Sequence, residues 1–236
     1  MMLPKSILTK LVGFIVLPLL MLQLVSCAHT TPLTAAAEQN NTSVIKELLK
    51  QGAKIDETNS GKWSGTPLYW SLNYCKFEAA ELLLKKGANP NLADSFGLSP
   101  LQVAVCCKDL DISLIEHLIE KGADINYGTP SNALAKPFEG WTSLHYAISC
   151  GADEVARLLI EKGANVNAIA DDGTTPLIIA AKNDSVFMAK FLLEKGADVN
   201  WRDLKKKSAM SYAKGILGIL HKKKKMMELL ESAGGE

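Results

Sequence analysis

An excess of charge of either sign is missing from this chain. Its 26 basic and 25 acidic side chains leave a formal net charge of +1 across 236 residues. No global field draws it to nucleic acid, and no nucleic-acid partner is expected. Histidine is scarce, with His29, His117, His145 and His221 the full set. No H-E-x-x-H helix, nucleophile elbow or phosphate loop occurs. CxxC spacing is absent, which argues against zinc. The Asp171-Asp172 pair precedes Gly173 in a turn, where acids are routine. These gaps exclude the common catalytic and metal-dependent classes, so the chain reads as a non-enzyme without a cofactor. The apolar run from Leu11 to Val25 is too short and too early for a membrane span.

What is present is a unit copied along the chain. From Gly140 to Asn167 it reads GWTSLHYAISCGADEVARLLIEKGANVN. Thr142 is suited to cap a first helix. Leu144, Ala147 and Ile148 then share one helical face. Gly151 interrupts the pattern, Val155, Leu158 and Leu159 begin a second amphipathic helix, and Gly163 stops it. Neither helix hides its apolar face alone. The Thr142 position recurs at Thr31, Thr66, Ser99, Thr175 and Ser208, with steps of 35, 33, 43, 33 and 33 residues. The openings are TPLTAA, TPLYWS, SPLQVA, TSLHYA and TPLIIA, and the closings are GANPN, GADIN, GANVN and GADVN. This pattern resembles the ankyrin repeat. The resemblance implies an all-α solenoid of five helix-turn-helix repeats with hairpin loops, at about 31–58, 59–91, 92–127, 138–168 and 169–201. A degenerate C-terminal cap follows at 202–236.

The N-terminus is organised differently. Lys5 and Lys10 precede the apolar run, as in a secretory signal. The run ends at Leu24-Val25-Ser26-Cys27, which resembles a bacterial lipobox. That implies a signal peptide over 1–26, lipidation at Cys27 and a short linker over 27–30. Acyl chains contribute about 0.8 kcal/mol per buried methylene, so two or three anchor a protein stably. Ala28, where such lipoproteins carry aspartate for inner-membrane retention, implies the periplasmic face of the outer membrane. The first repeat is then expected close to the lipid surface.

Three departures stand out against the repeat. Repeat 3 carries two extra residues near Cys107–Leu110. Between Gly122 and Thr142 lie eight more than a regular connection takes, within Tyr127 to Glu139. Pro130 and Pro137 rule out a regular helix there. This insert reads either as a tolerated surface loop or as a binding loop, and it carries apolar Leu134 and Phe138. The cap carries lysine runs at Lys205–Lys207 and Lys222–Lys225, read as a solvated face with lipid head groups as the alternative.

Besides Cys27, the cysteines are Cys75, Cys106, Cys107 and Cys150. They sit at offsets 9, 7, 8 and 8 from their repeats' Thr or Ser, all at the end of a first helix. An even number in an oxidising compartment points to disulfides. Neighbouring helices pack about 8–10 Å apart, whereas a disulfide needs Cα atoms within about 7 Å, so the turns must bend to permit it. Cys75 with Cys106 and Cys107 with Cys150 is the pairing expected here. Free thiols filling tight turns is the other reading.

The resemblance further implies a protein partner bound through hairpin tips and the groove side of first helices. By offset, the hairpins offer Trp63, Ser95, Phe96, Leu98, Phe138, Glu139, Trp141, Asp171 and Asp172. The first helices offer Asn73, Tyr74, Lys182 and Asn183. Trp63, Phe96, Phe138 and Trp141 are expected to be partly exposed, as in interaction patches. Tyr69, Trp70 and Tyr146 are expected between repeats. Ankyrin-type lipoproteins are associated with phospholipase effectors of type VI secretion. The expected role is therefore an immunity protein against such a toxin, with an envelope adaptor as the alternative.

Overall fold

The computed structural model describes residues 30–61, 64–131, 138–215 and 224–236. Among these residues there are twelve helices and no strand. In chain order they are α1 (Pro32–Glu38), α2 (Thr42–Lys50), α3 (Pro67–Asn73), α4 (Phe77–Lys85), α5 (Pro100–Ala104) and α6 (Ile112–Glu120). The second half holds α7 (Ser143–Cys150), α8 (Asp153–Glu161), α9 (Pro176–Asn183), α10 (Val186–Glu194), α11 (Ala209–Lys214) and α12 (Lys224–Ser232). Odd-numbered helices stack in one layer and even-numbered helices in a second. The first-helix layer is thinnest between α5 and α7, the junction that carries the insert; α5 has five residues where α3, α7 and α9 have seven or eight.

The local causes are those read in the sequence. Thr31, Thr66, Ser99, Thr175 and Ser208 each accept the backbone N–H three residues on, satisfying a donor the helix leaves orphaned. Pro32, Pro67, Pro100 and Pro176 follow as pre-shaped first-turn residues. Each first helix is left through a residue of positive φ: Asn40, Cys75, Asp109, Gly151 and Asp184. Glycine or a short polar residue takes that conformation at low cost; Cys75, at φ 53°, is the costly one.

One continuous apolar core runs from Leu33 to Leu230. Leu68, Leu72, Leu83, Leu101, Ile115, Leu144, Ile148 and Leu159 are fully buried in it. Tyr69, Trp70 and Tyr146 lie within it as expected.

The closing Asn of each unit has a separate task. Asn91 donates its amide to the Gly122 carbonyl (2.7 Å) and accepts the Asp124 N–H (2.8 Å). Asn126 does the same with Gly163 and Asn165, Asn167 with Gly196 and Asp198, and Asn200 with Gly234 and Glu236. Each carbonyl so engaged follows a helix end with unsatisfied acceptors. The ladder therefore ties every second helix to the repeat before it and continues into the cap. Repeat 1 has Asp56 in this place; its carboxylate accepts the Asn89 N–H (3.0 Å) but has no donor for the Gly87 carbonyl. Among the described residues, no helix is long and apolar enough to cross a membrane.

Candidate functional site

The hairpins are built from short acidic turns. Asp94 accepts from the N–H groups of Phe96 (2.9 Å) and Leu98 (2.8 Å), and Asp203 from those of Lys205 and Lys207 (2.9 Å each). Asp172 accepts from Thr174 through both its backbone and its hydroxyl. Successive tips are then joined. Ser95 donates to the Ser64 carbonyl, Asp171 to that of Glu139, and Leu204 to that of Asp172. The side chains at the tips are thereby held along one edge of the array.

At the third-to-fourth junction the eight-residue insert replaces the regular connection, and its base is closed. Thr129 N–H donates to the Trp141 carbonyl (3.0 Å), and Gly140 N–H to the Thr129 carbonyl (2.7 Å). Gln102, 2 % exposed, reaches across from α5. Its Oε1 accepts the Ser99 N–H (2.9 Å), while Nε2 donates to the carbonyls of Trp141 (2.7 Å) and Tyr127 (3.0 Å). The Tyr127 hydroxyl donates to the Gly97 carbonyl in the preceding hairpin (3.1 Å). Over this frame Phe138 meets Trp141 edge-on at 4.9 Å between centroids, and Trp141 meets Tyr146 at 5.2 Å. Phe138 and Trp141 remain half-exposed. Burial pushes the Tyr146 hydroxyl's pKa up, so this end of the cluster is neutral. The described end of the insert thus carries an aromatic cluster, Phe138 and Trp141 packed over buried Tyr146.

The next junction does the same job with His145, which is fully buried. Its Nδ1 accepts the Thr142 N–H (3.1 Å), and its Nε2–H donates to the Thr174 carbonyl (3.2 Å). Thr142 departs from its sister caps, since its hydroxyl turns to His145 Nδ1 (2.9 Å). Burial lowers the imidazole pKa from 6.5 to about 4, outweighing hydrogen bonds that favour the charged form.

The sequence-predicted residues divide by what holds them. Trp63, Leu134 and Cys27 lie outside the described residues. Phe96, Phe138, Glu139 and Trp141 gather along the hairpin edge, half-exposed, with Asp171 exposed beside them. Asn73 and Tyr74 are half-exposed on α3 and its end, and Tyr74 stacks on Trp70 at 5.7 Å. Burial, then Glu38, pushes the Tyr74 hydroxyl up to about 12. Leu98 packs against the core. Ser95 and Asp172 serve the hairpin bonds above, and Asn183 donates to the Ile148 carbonyl (3.2 Å). Lys182 is exposed, but its amine lies 4.6 Å over the Tyr212 ring and donates to the Thr174 hydroxyl (3.3 Å). Desolvation there lowers its pKa. Gln102 was not singled out from the sequence, although S-P-L-Q carries the capping-box spacing that marks it.

The cysteines pair otherwise than expected. Cys75 joins Cys107 and Cys106 joins Cys150, with Cα separations of 5.7 and 5.6 Å. The expected Cys75–Cys106 and Cys107–Cys150 links are therefore replaced. The reason is the early end of α5 at Ala104. Past it the chain leaves the helix, and adjacent residues turn to opposite flanks, Cys107 back to repeat 2 and Cys106 forward to repeat 4. The two bonds staple repeats 2, 3 and 4, and Cys106–Cys150 does so where the first-helix layer is thinnest.

Among the described residues, no cluster of His, Cys, Asp or Glu is arranged to hold a metal ion.

A family model described as ankyrin repeats in three copies matches residues 13–94, 33–129 and 88–170, and a single ankyrin repeat model matches 172–204. The B-cell lymphoma 3 protein homolog of Mus musculus is 30% identical over 163 residues, covering 67% of this chain and 35% of that protein. The mitochondrial disaggregase of Bos taurus is 30% identical over 152 residues, covering 64% and 21%. The chain thus spans about a third or less of these relatives' length. The crystal structure of the ankyrin repeat domain of Bcl-3 superposes with a TM-score of 0.68 at 26% identity, covering 88% of this chain and 87% of that one. An ankyrin repeat domain from Acinetobacter baumannii AYE gives 0.73 at 26% identity, covering 87% and 98%.

Proposed function

The chain belongs to the ankyrin-repeat family, an architecture for binding other proteins, and on that premise we propose a non-catalytic periplasmic lipoprotein that captures a protein on its hairpin edge. The partner proposed is a phospholipase toxin delivered by type VI secretion, which this protein occupies and blocks as its immunity protein. The observation that carries the reading is the platform of Phe138, Trp141 and Tyr146 at the base of the insert. Its two half-exposed aromatics, Phe138 and Trp141, rest on buried Tyr146, so little ordering cost remains to be met on binding, and such residues dominate binding hot spots. Two supports come from elsewhere. The disulfides persist in an oxidising compartment such as the periplasm. The Leu11–Val25 run ending at Cys27 fits export and lipidation, and a lipid anchor would place inhibitor and phospholipase on one surface.

Co-expression in the periplasm with phospholipase effectors of type VI secretion tests the role. Rescue of the cells from periplasmic toxicity, with a stable complex recovered, is the expected result. Absence of both rescue and complex would leave the toxin reading without support.

A further inference from the structure

Lysine crowds the far end of the first two repeats in a way the later repeats do not share. A cleft of about 400 Å³ opens between the ends of α2 and α4, lined by Lys46, Lys50 and Lys86 over a floor of Leu49, Ala53 and Ile55. The three lysines are exposed and the floor is half-buried. No carboxylate lines it. Of the acids near it in sequence, Glu47 accepts from Gln51 (2.8 Å), Asp56 from the Asn89 N–H, and Glu81 pairs with His117 and Lys85, while Glu57 is exposed outside the lining.

Helix-end lysine alone is unremarkable, since it complements the helix dipole, and Lys86, Lys121, Lys162 and Lys195 precede the stop glycine in four repeats. The excess lies one residue earlier. There repeats 1 and 2 have Lys50 and Lys85, whereas repeats 3, 4 and 5 have Glu120, Glu161 and Glu194. Among the five repeats this bias is confined to the first two, with Lys85 paired to Glu81 beside the cleft; the cap has its own lysines at Lys205–Lys207 and Lys222–Lys225. Because α1 and α2 run antiparallel across the Asn40-Asn41 turn, Thr31 and Lys50 lie at the same end of that helix pair.

We propose that this cleft docks the protein onto an anionic lipid surface, the lysine amines meeting phosphate head groups and the apolar floor facing the head-group boundary. Charge complementarity selects the occupant, and an interfacial site needs both a basic rim and an apolar floor. The lipid anchor of the preceding reading brings this end of the array to the bilayer.

The full chain reconstituted into vesicles provides the test, with amine labelling of individual lysines followed by mass spectrometry. Going from pure phosphatidylcholine to about one-third phosphatidylglycerol, labelling of Lys46, Lys50 and Lys86 is expected to slow at least fivefold, on the order of one lysine's attraction to such a surface. Lys121, at the repeat position of Lys86, should not change, and about 1 M salt should restore labelling. Lys46→Glu with Lys50→Glu should remove the protection of Lys86 with helicity intact. Equal labelling on both vesicles, or failure to associate with anionic vesicles, overturns the proposal. Protection by soluble poly-glutamate that matches the vesicles would assign the cleft to an acidic protein and also overturn it. Partner capture is read separately on the hairpin edge, so either proposal can fail alone.

Discussion

Where repeat 4 meets repeat 5, His145 accepts the Thr142 N–H and donates to the Thr174 carbonyl; where repeat 3 meets repeat 4, Gln102 accepts the Ser99 N–H and donates to the Trp141 carbonyl. The two side chains occupy the same offset from their caps, and both carbonyls belong to the residue before the next cap. The difference lies in capacity. A neutral imidazole has one N–H to give, whereas a primary amide has two. The regular junction presents two carbonyls, those of Thr174 and Ala168, to that one N–H. The junction with the insert also presents two, those of Trp141 and Tyr127, and Gln102 gives each its own N–H. The junction beside the insert is thus held by a side chain with a donor for each carbonyl and by the Cys106–Cys150 disulfide, while the regular one has neither. The departures from the repeat also coincide with the exposed aromatics, so the region that costs most to build is the region proposed to bind.

That comparison can be broken at several strengths. The largest effect is expected from the staples. Cys106→Ser with Cys150→Ser should lower the unfolding free energy by about 2–4 kcal/mol in urea titration. Cys75→Gly with Cys107→Ser should cost about 1 kcal/mol less, because glycine relieves the positive φ at position 75. Equal losses would show that the conformation at Cys75 carries no penalty.

The regular junction carries a pH liability that the irregular one lacks. The folded pKa of His145 is about 4 against 6.5 unfolded. Between those values the unfolded chain binds more protons, so stability is full above pH 6.5 and falls as pH drops toward 4. The loss amounts to about 3 kcal/mol. His145→Gln, which copies the chemistry of Gln102, should flatten that stretch of the stability–pH curve. An unchanged curve would mean that another group titrates there.

Gln102→Ala orphans the Ser99 N–H and the Tyr127 carbonyl, while Thr129 still serves that of Trp141, and should cost about 2 kcal/mol, read as a shift in urea midpoint. Gln102→His should recover part of this, because one of its two interrepeat donors remains. Full recovery would contradict the argument from donor number. The smallest effect concerns the first junction. Asp56→Asn supplies the donor missing toward the Gly87 carbonyl and should stabilise by about 0.5–1 kcal/mol, measurable as a small rise in Tm.

Much of this architecture was legible because it repeats. Thr or Ser before proline, apolar residues at helical spacing and glycine at the stop fix helix ends by local chemistry, and each copy corroborates the others. The asparagine ladder is written in the same way. Legibility failed where a residue's direction depended on a neighbour's irregularity. The offsets placed four cysteines at one level, but which flank each faces is decided by where α5 ends, and Cys106 and Cys107 are adjacent. The insert's position and apolar content could be read; the closing of its base through Thr129, Trp141 and Gln102 could not, since those contacts join residues up to 39 apart in sequence. Of the residues proposed to bind, Phe96, Phe138 and Trp141 stand half-exposed along the hairpin edge, whereas Asn183 and Asp172, chosen by the same offsets, are engaged by the fold.

The central claim is that a protein partner is held on the hairpin edge around the insert's base. Backbone amide exchange of the complex with the phospholipase tests it most directly. Slowed exchange at residues 94–98, 127–131 and 138–142, with the second helices unaffected, is the predicted result. Slowing confined to α4, α6 and α8 would contradict it.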